Sequence, residues 1–247
     1  MSLAHKIHDV FSSVAKGDWQ HLVNATAQTL RIRRWINVDS CTFYAVPSFH
    51  EAQRTGLPVL PVQETSLQIS NERDAAIIPA LLECMEGTRD YSWLTPEERA
   101  QKFAGFLQHD DSVWVAKEGD KVIGFFWEAR NSYLFSRGNA ELEWALAPDM
   151  AIVEFIFVKA SYRGHGVYHQ LFAHAYRHSP DMRFACYVAD TNEPSIKAQL
   201  KDGFKPFGRV IYYVLFGLMF ASIRLGDFRK RFFRIRKGVP YKISATT

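Results

Sequence analysis

Several features of common protein classes are missing from this chain. Its three cysteines, Cys41, Cys84 and Cys186, have spacings that match neither a disulfide framework nor a metal site. Because no secretory signal pattern is present, we expect a reducing, cytoplasmic environment. The longest apolar run, Val210 to Ile223, has 14 residues, whereas a membrane-spanning helix needs roughly 20. Repeats, low-complexity segments and nucleic-acid-reading motifs are also missing. The sequence therefore predicts a globular protein with no metal centre and no nucleic-acid partner.

The charge of the chain is concentrated at its C-terminus. The 247 residues, 47% of them hydrophobic, are enough for one large domain or for a domain with an extension. Residues 224–247 carry a net charge of +7, and the rest of the chain carries −3. Phenylalanines interleave with the basic residues, a composition that suits an anionic membrane surface. Two alternatives stay open here: a basic terminal helix that packs its phenylalanines on the domain, and another acidic partner.

The most informative segment runs from Ala151 to Phe204. An apolar run, Ala151 to Val158, precedes a basic turn with two glycines, and an amphipathic segment and a second apolar run, Met182 to Val188, follow. This order predicts strand, turn, helix, strand and a final helix. Gly164 and Gly166 let backbone N–H groups approach a ligand closely, and a helix start beside them attracts anions. The predicted ligand is a pyrophosphate; the alternative is a tight strand-to-helix connection.

Two signatures in this segment resemble the GCN5-related N-acetyltransferase (GNAT) family. The first is Ser161-Tyr-Arg-Gly-His-Gly166, which follows a strand ending at Val158. The second is Asn192 followed at the family's spacing by Gly203-Phe204. The resemblance covers roughly residues 67 to 215. It implies an α/β (α+β) fold with a mixed, mostly antiparallel sheet of six or seven strands, flanking helices, and a splayed strand pair ending at Val158 and Val188.

The resemblance also implies a donor site for acetyl-coenzyme A or another acyl-coenzyme A as co-substrate. The pyrophosphate would lie on the glycine turn, and the pantetheine arm would pair with the strand ending at Val158. A backbone N–H near Phe157 would polarise the thioester carbonyl, and an amine would attack it directly. The implied cofactor-binding residues are Phe157, Val158, Arg163, Gly164, His165, Gly166, Val167, Tyr168, Asn192 and Ser195.

Three positions depart from the family pattern. Ser161 replaces the opening Gln or Arg, and Tyr168 stands where many relatives carry a small residue. Gln199 occupies the position at which many members carry a tyrosine that acts as general acid. Tyr187, Tyr168 or a water molecule is left as the acid, and we take Tyr187 as the catalytic candidate.

Glu154 is the predicted general base. It interrupts an apolar strand, where a carboxylate is costly to bury unless it is paired or functional. Burial would raise its pKa toward the range useful for taking a proton from an ammonium group. The alternatives are that Glu154 binds a cationic acceptor or pairs with an arginine. Glu128 and Glu143 are the second choices for the base.

We expect three parts in the chain. Residues 1–66 form an N-terminal helical extension that packs on the catalytic domain or makes a homodimer contact, 67–215 form the acyltransferase domain, and 216–247 form a basic aromatic tail. Residues 131–150 are expected to be an insertion-like loop that shapes the acceptor pocket or only covers the surface.

The predicted function is transfer of an acetyl or longer acyl group from coenzyme A to a small-molecule amine. The layout of an extension and a basic tail resembles acyltransferases of bacterial surface polysaccharide pathways, and this resemblance implies an amino sugar on a nucleotide or lipid carrier as the acceptor. The location would be cytoplasmic, with peripheral contact to the inner membrane face through the tail. Two alternatives remain: a non-catalytic acyl-coenzyme A sensor or assembly subunit, and an acyltransferase with an acyl carrier protein donor or a hydroxyl acceptor.

Overall fold

The computed structural model describes residues 36–57, 67–88, 90–92, 94–137, 140–216, 218–236 and 240–243. This part contains five α-helices and twelve strands. The helices are α1 (Phe49–Thr55), α2 (Ile78–Cys84), α3 (Pro96–Gln108), α4 (Val167–His178) and α5 (Glu193–Lys201). The strands are β1 (Ile36–Val46), β2 (Gln68–Glu72), β3 (Ser112–Glu118), β4 (Lys121–Ala129), β5 (Ser132–Arg137), β6 (Ala140–Ala145), β7 (Met150–Val158), β8 (Arg183–Ala189), β9 (Lys205–Leu215), β10 (Leu218–Leu225), β11 (Phe228–Ile235) and β12 (Tyr241–Ile243).

Nine strands form one sheet in the order β11-β10-β9-β1-β8-β7-β4-β3-β2. Within it only β7 and β8 are parallel; the other pairs described are antiparallel. The predicted fold class, a mixed and mostly antiparallel sheet with flanking helices, is confirmed. The sheet has more than the expected six or seven strands because β1 is inserted between β8 and β9, and β10 and β11 extend the sheet past β9.

Two layers cover the faces of this sheet. Helix α4 packs its buried side chains, among them Leu171 and Phe172, against one face. A second sheet, in the order β12-β6-β5, covers the other face near β1, β8 and β9. Helices α2 and α3 pack on β3, β4 and β7 around a third hydrophobic cluster, which includes Leu81, Phe103 and Phe125.

The segment 131–150 is a β-hairpin, β5–β6, and the expectation of a loop was wrong. Its side chains alternate: Tyr133 and Phe135 are buried while Leu134 between them is exposed, and Leu142 and Trp144 are buried in the partner strand. This period of two is the pattern of a strand with one face on a core. Glu141 and Glu143 lie at the intervening positions of β6 and obscure it.

The ends of the chain contribute strands to the same sheet. β1, from the predicted extension, lies between β8 and β9, and β10 and β11, from the predicted tail, continue the sheet past β9. The alternative of a basic terminal helix is wrong for residues 228–235, which are strand β11. The helices expected before residue 36 lie outside the described residues, and the three-part division of the chain stays a prediction. No helix of the described residues is long and apolar enough to cross a membrane.

Asp190, just past the end of β8, connects three strands. It accepts hydrogen bonds from the hydroxyls of Ser40 (2.5 Å) and Thr42 (2.7 Å) on β1, and Arg209 on β9 lies 2.6 Å away. Burial alone would raise the pKa of Asp190, but these donors outweigh it and the pKa is lowered. The carboxylate therefore stabilises the junction at pH values above its ordinary pKa.

We expect Asp190→Asn to lower the free energy of unfolding at neutral pH by about 2 kcal/mol, because it weakens charge-assisted hydrogen bonds. The difference from the wild type should shrink as the pH falls below about 4, where the unfolded-state carboxyl becomes protonated. Urea unfolding monitored by circular dichroism measures both effects. Asp181→Asn, at an exposed carboxylate, is the control and should change the free energy of unfolding little; an equal loss in both variants would contradict the assignment.

Candidate active site

The site is built where β7 and β8 separate. The two strands pair only from Met150 to Val153 on β7 and from Arg183 to Cys186 on β8. Beyond these pairs lies a cavity of about 680 Å³, a size typical of small-molecule and cofactor sites. The splayed strand pair predicted from the sequence is therefore present.

A β-bulge in β7 shapes the inner wall of this cavity. Phe157 lies opposite Phe125 on β4, but Glu154 already lies opposite Trp127, so β7 has one more residue than β4 in between. Phe155 has φ +46°, an outlier for a bulky residue. As a result four consecutive residues, Val153 to Ile156, line the cavity, whereas the side chains of a regular strand alternate between its two faces.

Tyr91 holds the bulge in place. Its ring stacks on Phe155 with 4.1 Å between centroids and 13° between planes, and its hydroxyl donates to the Ile156 carbonyl at 3.0 Å. Phe103 of α3 packs edge-on against Phe155 at 5.0 Å. Sequence reasoning missed Tyr91, because it is far from β7 along the chain and belongs to no motif.

The glycine turn forms the outer end of the cavity. Gly164 (φ +80°) and Gly166 (φ +78°) both adopt the left-handed conformation, which glycine tolerates without strain. Gly166 precedes α4 and provides no side-chain cap, so the first-turn N–H groups of the helix have no capping partner of that kind. A helix start whose N–H groups are free in this way is suited to bind an anion.

Arg163 lies at the same end of the cavity. Its Nε donates to the Val158 carbonyl at 2.9 Å, and its guanidinium pairs with Asp90 and lies over the Phe157 ring. These contacts fix a half-exposed cation beside the turn.

Glu154 points into the inner end of the cavity and is 6% exposed. Burial raises the pKa of this carboxyl to about 8, an effect that Lys102 opposes and Asp111 reinforces. The Tyr133 hydroxyl hydrogen-bonds to Glu154 and also to Tyr187, so the three side chains form a connected chain. Within the described part of the chain no ion pair joins Glu154 to an arginine or lysine.

Tyr133 was missed by the sequence reasoning. It is buried and comes from the hairpin β5–β6, which the sequence suggested was a loop. The alternation of apolar and polar residues in that segment was the signal that could have identified it.

Tyr168 and Gln199 meet across the middle of the cavity. The Tyr168 hydroxyl donates to Gln199 Oε1 at 3.1 Å, and Gln199 is buried. The Tyr168 ring packs between Phe126 and Phe172. Asn192 caps α5 by accepting a hydrogen bond from the Ser195 N–H at 3.3 Å.

Residues 77–204 match the model of the acetyltransferase (GNAT) family, which is about half of the chain. The chain belongs to the GNAT family. The recognition made from the two signatures is confirmed, and acyl-coenzyme A is the co-substrate of this family. None of the curated proteins matches the chain.

Solved structures that resemble the chain are distant relatives. A conserved protein of unknown function from Staphylococcus epidermidis ATCC 12228 is 11% identical with a TM-score of 0.50, covering 76% of this chain and 65% of its own. A GNAT-family acetyltransferase from Colwellia psychrerythraea is 12% identical with a TM-score of 0.46, covering 77% and 62%. An aminoglycoside N-acetyltransferase in complex with coenzyme A is 19% identical with a TM-score of 0.44, covering 59% and 92%. The chain thus spans just under two thirds of the Staphylococcus protein, and at these identities the likeness shows the fold alone.

The cavity of this GNAT domain is lined by all of the predicted site residues except Phe157 and His165. The Phe157 side chain packs in the core against Phe125, although its backbone belongs to the wall strand, and His165 is exposed on the turn. The second-choice bases lie outside the cavity: Glu128 is buried against Trp114 and Arg130, each 2.6 Å away, and Glu143 pairs with Lys242. No group of three or more metal-ligating side chains occurs among the described residues.

We expect Gly164→Glu to weaken coenzyme A binding at least about tenfold, because it places a carboxylate among the N–H groups that would face the phosphates. Isothermal titration calorimetry measures the loss. Gly119→Glu, in the turn between β3 and β4, is the matched control, because that glycine also has a positive φ (+58°) and open space around it. Unchanged affinity of Gly164→Glu would show that the phosphates bind elsewhere.

Proposed function

We propose that the protein transfers an acyl group, acetyl in the first instance, from coenzyme A to a primary amine by direct attack on the thioester. The observation that carries this proposal is Glu154: a buried carboxyl with a pKa of about 8, aimed into a cavity whose other end is an anion-binding turn. A base and a phosphate site joined by one cavity are what a two-substrate acyl transfer requires.

The donor would occupy the outer half of the cavity. Its phosphates would lie on the turn of Arg163, Gly164 and Gly166 and on the first turn of α4, from Val167 and Tyr168. The pantetheine arm would follow the edge of β7 that β8 leaves free, toward the bulge. Backbone N–H groups near Phe155 and Phe157 would stabilise the developing oxyanion, and Asn192 and Ser195 would border the arm from α5.

Glu154 would then act as the base. It accepts a proton from the acceptor nitrogen, directly or through a water molecule, as the nitrogen attacks the carbonyl carbon. Tyr133 holds the carboxylate in place, and Tyr187 continues the hydrogen-bonded chain. Tyr187 was predicted as a catalytic residue, and we propose it as the member of this chain nearest the acceptor.

Tyr168 is proposed as the acid in place of the tyrosine missing at position 199. When the carbon–sulfur bond breaks, the electron pair stays on sulfur, and the Tyr168 hydroxyl turns its one proton from Gln199 Oε1 to the departing thiolate. The proton is restored to Tyr168 from solvent. The hydrogen bond to Gln199 holds the phenol near the position from which the family's tyrosine acts, and this contact supports Tyr168 over Tyr187 for the role.

The acceptor end is rich in aromatic faces, from Tyr91, Phe155 and Tyr187. Rings beside a carboxylate suit a cationic amine on a carbon framework. An amino sugar on a nucleotide or lipid carrier remains the acceptor we propose, on the basis of the resemblance seen in the sequence. A non-catalytic sensor of acyl-coenzyme A is the alternative, but it leaves the cost of burying Glu154 without a purpose.

We expect Glu154→Gln to lower kcat at least about 100-fold with coenzyme A affinity unchanged, because the amide cannot accept the proton. In the wild type the rate should rise with pH through about 8, since the base works deprotonated and its pKa is raised to that value; the variant should lack this step. The rate of coenzyme A release, followed over a range of pH with a panel of amino sugars and simple amines, measures both kcat and its pH dependence.

Glu143→Gln, outside the cavity, is the control for Glu154→Gln and should retain the wild-type rate. A wild-type protein that binds coenzyme A but releases none with any amine would support the sensor. Failure to bind free acyl-coenzyme A would point to an acyl carrier protein as donor.

The role of Tyr168 as the acid is tested by removing its hydroxyl and then placing a tyrosine hydroxyl at position 199. Tyr168→Phe should lower kcat about tenfold or more, because general acid assistance to the thiolate is lost. The double variant Tyr168→Phe/Gln199→Tyr should recover most of that loss, since the phenol then comes from the position that the family uses. Steady-state rates of the three proteins decide the question, and a double variant no faster than Tyr168→Phe would remove Tyr168 as acid.

A further inference from the structure

One corner of the large sheet extends past the end of β8. The last residue of β8, Ala189, lies opposite Cys41, and β1 continues for five more residues that pair with β9. At about 3.3 Å per residue, the corner formed by β1, β9, β10 and β11 extends about 16 Å beyond β8. It does so at the carboxyl ends of β7 and β8, where the cavity lies.

Exposed aromatic and aliphatic side chains cluster on this corner. Phe216 in the turn after β9 is 71% exposed, Leu218 is 42% exposed, and Phe232 on the edge strand is 52% exposed. The Phe232 ring stacks on Phe220 with 4.6 Å between centroids. Phe216 and Phe232 both have positive φ, +49° and +39°, because Phe216 lies in the tight turn between β9 and β10 and Phe232 lies where the register of β10 and β11 shifts.

Next to this corner, β9, β10 and β11 carry further arginines, level with Val188 of β8. Arg209, Arg224 and Arg229 lie directly opposite one another across β9, β10 and β11, an arrangement that is destabilising unless an anion compensates it. Arg209 pairs with Asp190. The exposed side chains of Arg224, Arg229, Arg231 and Arg234 form no ion pair in the part of the chain described.

We propose that this basic corner docks on an anionic phospholipid surface. The basic corner consists of Phe216, Leu218, Phe232, Arg231 and Arg234, and Arg224 and Arg229 lie next to it, level with Val188 of β8. Arginines meet the headgroups, and the exposed rings enter the boundary between headgroups and acyl chains. A nucleic acid would use the charge but would leave Phe216 and Leu218 in water without a role. Docking through this corner would bring the end of the sheet that bears the cavity toward the membrane, within reach of an acceptor held there.

The proposal goes beyond acyl transfer and is tested without turnover. The purified full chain is sedimented with vesicles of phosphatidylcholine alone and with vesicles containing about one third phosphatidylglycerol. We expect binding to the anionic vesicles only, and a loss of about tenfold or more in partition coefficient for Arg231→Gln/Arg234→Gln. Phe232→Ser should bind the anionic vesicles like the wild type at low ionic strength. At high ionic strength salt screens the charges and only the apolar contribution is left, so the wild type should keep some binding and Phe232→Ser should lose it.

The matched control is Arg73→Gln/Lys121→Gln, which removes the same charge from the other half of the sheet and should bind like the wild type. Circular dichroism establishes that each variant is folded; if Phe232→Ser is not, Phe216→Ser in the exposed turn replaces it. Absence of sedimentation with anionic vesicles overturns the proposal, as does an equal loss in the control. Binding to heparin or duplex DNA that is tighter than to vesicles and independent of both phenylalanines would assign the corner to a polyanion and overturn the lipid surface.

Discussion

The bulge in β7 is the feature on which the site depends. β7 must stay paired with β4 along its length while leaving β8 after four residues, and a regular strand cannot turn away from one neighbour only. The extra residue at Phe155 provides the turn. Its left-handed conformation costs of order 1–3 kcal/mol, and stacking on Tyr91 and packing against Phe103 offset that cost. The cavity, the direction of Glu154 and the accessible backbone of β7 all follow from it.

The buried carboxyl of Glu154 is supported from the far end of the chain. Its partner Tyr133 lies on the hairpin β5–β6, which is paired on its open side by β12 through Tyr241 to Ile243. The hairpin packs in turn on β9, β10 and β11. Residues that lie beyond the family's matched region, and that read as a tail in the sequence, therefore hold the proposed base in place. β10 and β11 also belong to the same nine-stranded sheet as β7.

Signals between neighbours in sequence made much of the fold around the site predictable. The glycine turn and the two apolar runs depend on neighbours in sequence, and each is found as expected. The contacts that complete the site are not local. Tyr91 reaches Ile156, and Tyr168 reaches Gln199, only because the sheet and helices bring them together. The placement of β1 between β8 and β9 is likewise a long-range pairing that no sequence period encodes.

The pKa of Glu154 helps decide between an amine and a hydroxyl acceptor under the proposed mechanism. Moving a proton from an alkylammonium, with a pKa of about 10.4 as in lysine, to a base of about 8 costs about 3 kcal/mol. Moving one from a hydroxyl, with a pKa near the 15.7 of water, costs about 10 kcal/mol before any catalytic help. A hydroxyl acceptor would therefore depend more on proton removal in concert with bond formation than an amine would. Glu154 is therefore matched to an acceptor that arrives as an ammonium ion and must lose one proton to become a nucleophile.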